Sequence, residues 1–198
     1  ERVFSITTKW VVLLNIPVII ILTFFSKAVL TLLYGAQYVG AAPALTILSF
    51  GALIFSFAMS YTNYLKMIKK TKLIFLNTIL VVTLNVFLNY ILMMKYGLFG
   101  AATATMISFL FYSILTVVEV KVISKMKVFN TNYAKAFLSA TLAFIFVYLM
   151  KSLNIMGIVS GALFVLIYFT LLFLFGVFEK EDYEIINAIK KRLLRNGR

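Results

Sequence analysis

The sequence predicts an all-α polytopic membrane protein with six transmembrane helices. Three observations predict it. Hydrophobic residues fill 63% of the 198 positions and mean hydropathy is +1.04, against an apolar content of ~45–50% in soluble domains. Charged residues, 13% of the chain, gather into short clusters separated by long apolar runs. Each run has about the ~17–25 residues that a helix needs to cross ~30 Å of hydrocarbon.

A lead-in, residues 1–9, precedes the first run and is expected on the cytoplasmic side. The run 10–34 contains Asn15 and Pro17. Proline lacks an N–H, so Pro17 is expected to bend the helix and free a carbonyl. A neighbour then satisfies that carbonyl, or the bend forms the polar wall of a cavity. Lys27 interrupts the same run, and its ammonium is expected to snorkel to the surface with residues 28–34 lying partly in the interface.

The second run is 41–65, with Pro43 in its first turn, where proline fits. The third, 73–94, carries Asn85 and Asn89 on one face, with Asn77 not far round the same side. Amides at membrane depth face protein or water, as interhelical glue or as cavity lining. The fourth, 100–120, begins after the joint Lys95-Tyr96-Gly97-Leu98-Phe99-Gly100, and Gly100, Ala104 and Ser108 form a small-residue strip for close packing. Glu119, the only acid in any run, reads as a surface charge at the end of that helix.

The fifth run, 134–150, is the shortest and holds Lys135. The sixth, 157–178, opens with Gly157 and Gly161, a packing patch. Tyr112 and Tyr168 fall within runs, and their hydroxyls are expected to bond between helices. The tail, 179–198, places Tyr183, Ile186, Ile189 and Leu193 on one stripe with acids first and bases last, the pattern of an amphipathic cytoplasmic helix.

Lysine and arginine bias a loop toward the cytoplasm. Assigning the 19 cations to alternate connections puts sixteen on one side and only Lys27, Lys95 and Lys151 on the other. Both ends of the segment are therefore expected in the cytoplasm, in a cell membrane. Trp10, Tyr61, Tyr64 and Tyr133 fall at inner edges, and Tyr34, Tyr38, Tyr96 and Tyr148 at outer ones, where amphipathic rings settle.

A net charge of +13 arranged this way implies contact with anionic membrane lipids, not nucleic acid. With no Cys and no His, thiol and imidazole chemistry are excluded. Paired carboxylates, a phosphate-cradling glycine loop and a serine triad are missing too, so no catalytic residue, metal site or cofactor is expected, and no enzyme. The chain opens Glu1-Arg2-Val3 without methionine, and its first run is too long for a signal peptide. A fragment of a longer protein is expected, with a genuine terminus at the polar "KKRLLRNGR".

The segments "LLYGAQYVGAAPALTIL" and "LNVFLNYILMMKYGLFGAATAT", with the basic loop "YLKMIKKTK" between them, resemble the C-terminal half of polysaccharide biosynthesis flippases. These are the Wzx-like, O-antigen-transporter type within the MATE exporter superfamily. The resemblance implies a two-lobed transporter of twelve or fourteen spans around a cavity open to each side in turn. The missing N-terminal lobe of the same chain would complete it. The implied cargo is a polyprenyl-diphosphate oligosaccharide, and a MATE-like antiporter of organic cations is the alternative.

Polarity and position, rather than a family motif, select Asn15, Gln37, Asn85 and Asn89 as cavity lining, and Lys27 for diphosphate contact. Pro17, Gly97, Gly100, Ala104 and Ser108 are the hinge and packing positions. No cation lies at mid-membrane, so a buried phosphate-binding charge would come from the missing lobe.

Overall fold

A computed structural model describes residues 2–124, 135, 138–143, 145–146 and 157–177. The described residues are helical or in short turns, with no strand among them. The tail 179–198, most of the fifth run, and the residues Tyr133, Tyr148 and Lys151 lie outside the described residues.

Helix α1, Arg2–Phe24, runs through Pro17 without interruption. Instead the chain breaks at Phe25 and turns 85° into α2, Ser26–Tyr34. The run 10–34 is therefore not one straight span, and the break falls eight residues beyond the proline that was expected to cause it. Neither Gly nor Pro marks the place. Lys27, two residues past the break, is exposed, and a charged side chain is costly along a straight run through hydrocarbon.

Helix α2 then leads through Gly35, at φ 98°, into a 3-10 turn, Ala36–Ala41, and α3, Ala42–Met67. Pro43 occupies the first turn of α3. Helices α4, Thr71–Tyr96, and α5, Leu98–Ser124, follow. The joint between them is a single residue, Gly97, not the six residues 95–100, because Gly97 takes φ 56° and lets both helices run up to it. Helix α6, Gly157–Leu174, completes the described fold.

Among the described residues, three helices are long and apolar enough to cross a membrane, or four if the bent α1–α2 pair is one span. Helix α5 packs between α3 and α4, and α1 covers α3 from the other side and meets α6. Two buried apolar clusters hold this arrangement. Val12, Leu13 and Ile16 of α1 interlock with Phe164, Tyr168 and Leu172 of α6. At the basic end, Tyr61 and Leu65 of α3 enclose Val120 of α5. Tyr61 is buried in that cluster.

One bond explains how α1 tolerates its proline. Pro17 has no N–H to offer the carbonyl four residues earlier, which is Leu13. The buried Tyr168 hydroxyl donates to that carbonyl at 3.1 Å. Replacing Tyr168 by Phe leaves the carbonyl orphaned, so a loss of about 1 kcal/mol is expected. Pro17→Ala supplies an N–H in its place, and in that background Tyr168→Phe is expected to cost far less. A double-mutant cycle on unfolding in detergent measures the difference.

A polar seam between two close-packed helices

The α4–α5 hairpin is set by glycine. A Cβ at Gly100 would collide with the Leu92 carbonyl and the following amide nitrogen of Met93. The two backbones therefore touch immediately after the turn. The strip continues as Ala104 and Ser108, both buried. On the other side of α5, a Cβ at Gly51 of α3 would meet the Met106 Cα at 3.1 Å. In hydrocarbon, apolar burial contributes little between helices, and close approach of this kind is what holds them.

Hydrogen bonds reinforce both contacts. Asn77 donates to the Glu119 carboxylate at 2.7 Å, and Asn85 donates to the Ser108 hydroxyl at 3.2 Å. Asn89 donates to the Asn85 side-chain oxygen at 3.0 Å, and Ser108 donates to the Ala104 carbonyl at 2.8 Å. Between α3 and α5, the Thr62 and Tyr112 hydroxyls share a bond at 3.0 Å, and Ser113 donates to the Ile54 carbonyl at 3.0 Å. Phe55 stacks on Phe109 beside them, with ring centroids 4.5 Å apart.

The expected cavity residues fall into two groups. Asn85 and Asn89 meet in the α4–α5 seam. Asn15 stands on α1, half-buried, and its amide donates to its own helix at the Val11 carbonyl, 2.8 Å away. Lys27 is exposed just past the elbow, and Gln37 is exposed in the 3-10 turn Ala36–Ala41. Two hollows of about 320 and 340 Å³ flank the end of α1. Their walls are almost wholly apolar: Phe25, Val29 and Val165 in one, Ile20, Phe50 and Leu53 in the other. Gly161 lines the first, and a Cβ there would touch nothing within 4 Å.

Glu119 corrects its sequence reading. It is half-buried and bound to the buried Asn77, not a free surface charge. The signal was present in the hairpin register. Counted outward from Gly97, Asn77 and Glu119 stand at nearly equal distances, as do Asn85 and Ser108. A further buried group, Lys9, donates to the Val177 carbonyl at 3.4 Å and ties the start of α1 to the end of α6.

An amide N–H on an ionised carboxylate is a charge-assisted bond, stronger than a neutral one. Asn77→Ala removes it and strands a carboxylate that keeps only part of its water. The expected loss is about 1–3 kcal/mol. Replacing both residues by Leu is expected to recover much of it, since no charge is then left without its partner. Unfolding measurements on the single and double variants check this.

No family model matches this chain. The chain is similar to an uncharacterized membrane protein of Methanocaldococcus jannaschii, with 27% identity over 190 residues, 90% of this chain and 36% of the relative. The chain thus spans about a third of that relative's length. No solved structure matches it. Its membrane-length helices, with this likeness to a membrane protein, make it a multi-pass α-helical membrane protein.

Proposed function

We propose that the chain is part of a flippase that carries a polyprenyl-diphosphate oligosaccharide across the cell membrane by alternating access, in surface polysaccharide biosynthesis. On this reading both ends of the segment are cytoplasmic, and a second lobe supplies the rest of the cavity. The observation that carries the reading is a contrast in packing. Helices α3, α4 and α5 are joined by backbone-close glycines and side-chain hydrogen bonds, whereas α1 and α2 meet at an 85° elbow. A stiff block beside a bent helix is the mechanical arrangement that rocking of one bundle against another requires.

The polar head of such a cargo is costly to expose to hydrocarbon, so it needs a hydrated path between lobes. On this reading Asn15, Gln37, Asn85 and Asn89 line that path, and Lys27 contacts the diphosphate. The lipid tail stays in the bilayer.

The test is complementation. The full-length parent is expected to restore surface glycan to cells lacking their own O-antigen-type flippase. Failure with several repeat-unit types would contradict the proposal. The second reading, MATE-like antiport of organic cations, draws on the half-buried Glu119. Resistance to cationic drugs, lost in Glu119→Gln, with no glycan rescue would favour it.

A further inference from the structure

We infer that the α3–α4 turn and the neighbouring end of α5 form one docking surface for the headgroups of anionic phospholipids. The surface is assembled by the fold. Gly51 lies against Met106, and Leu65 shares a buried cluster with Val120. The same stagger relates both pairs, so α3 and α5 run parallel and Lys66 stands level with Lys121. Lys69 and Lys70 form the turn between α3 and α4, and Lys72 lies in the first turn of α4. All five lysines are exposed.

The turn is held in one shape. The Lys70 amide donates to the Leu65 carbonyl at 2.9 Å, and the Ile68 amide donates to the Tyr64 carbonyl at 3.1 Å. Lys69 sits at φ 58°, a left-handed conformation that helix exits usually give to glycine. A lysine there is tolerated at a conformational cost, and it plants a cation at the tip of the turn. Beneath it the cluster of Tyr61, Leu65 and Val120, with Ile68 and Ile74 packed on it, gives the lysine stems a firm apolar floor.

Among the described residues, no acid cancels this positive charge. Glu119 is the only acid among the described residues, and its carboxylate is engaged by Asn77 in the seam. Lys66 has a long bond to the Asn63 side-chain oxygen at 3.4 Å, and among the described residues none of the five forms an ion pair.

The partner follows from position and charge. The lysines cap three helices of membrane length whose outward faces are apolar, so the anions at that level are lipid phosphates. Compact ammonium groups suit phosphate as point charges, without the planar fork that base or carboxylate recognition uses. A headgroup held by Lys66 or Lys69 and by Lys121 bridges the α3–α4 turn to α5, so bound anionic lipid is expected to stiffen this end of the block.

The experiment measures which lipid the purified protein retains from mixed phosphatidylglycerol and phosphatidylcholine micelles, read by native mass spectrometry. Wild type is expected to favour phosphatidylglycerol on the order of tenfold. The variant with Lys66, Lys69, Lys70, Lys72 and Lys121 all changed to Gln is expected to show almost no preference. Lys95→Gln, at the other end, is expected to leave it intact. Should the five-fold variant fail to fold, salt decides on wild type: about 0.5 M NaCl is expected to erase the preference. Equal retention of the two lipids by wild type would overturn the inference. So would a preference that survives in the five-fold variant or in high salt, or one abolished by millimolar inorganic phosphate at constant ionic strength.

Discussion

Gly100→Ala is expected to destabilise the protein by at least about 3 kcal/mol, the upper end of what overpacking costs. The added methyl has no space: it meets the Leu92 carbonyl and the Met93 nitrogen, which are backbone atoms of an adjoining helix and cannot rotate aside. The two helices must part just where the one-residue turn at Gly97 holds them together. Separation there propagates along the hairpin, because the Asn85–Ser108 and Asn77–Glu119 bonds depend on the same register.

The matched control is Gly161→Ala, where the methyl meets nothing within 4 Å. Alanine is the better helix former by about 1 kcal/mol, so this change is expected to be neutral or slightly stabilising. Unfolding of both variants in bicelles separates a packing effect from a helix-propensity effect. If Gly100→Ala matched wild type, the close hairpin would be wrong.

The hairpin, and the elbow beside it, show how far a sequence can be read. Membrane-length helices were legible because lipid imposes a simple rule of length and polarity on each run separately. Pro43 in a first turn and the small-residue strip from Gly100 were legible for a similar reason, since both follow from local sterics. Pro17 was not. Local rules predict a bend there, but the hydroxyl that satisfies its orphan carbonyl comes from Tyr168, at the other end of the chain.

Lys27 lies two residues past the elbow, where the expected consequence was a gradual slide into the interface and not an 85° turn at Phe25. Glu119 was misread because its partner is on another helix. Its environment is decided by how α4 lies on α5, and a residue-by-residue reading of charge has no access to that. The cavity residues are harder still. Asn85 and Asn89 share a face by spacing alone, yet whether Asn15 and Gln37 join them depends on interhelical placement that periodicity does not encode.

On the proposed reading, α4 crosses the membrane from a basic inner turn to an outer one. At ~1.5 Å per residue its 26 residues reach ~39 Å, enough to place Lys69 and Lys95 in different compartments. The chain has no cysteine, so Lys69→Cys and Lys95→Cys each provide a single thiol. With a membrane-impermeant maleimide on intact cells, Lys95→Cys is expected to label fully and Lys69→Cys only after permeabilisation. Labelling of both thiols from the same side, or of Lys69→Cys on intact cells, would contradict the account.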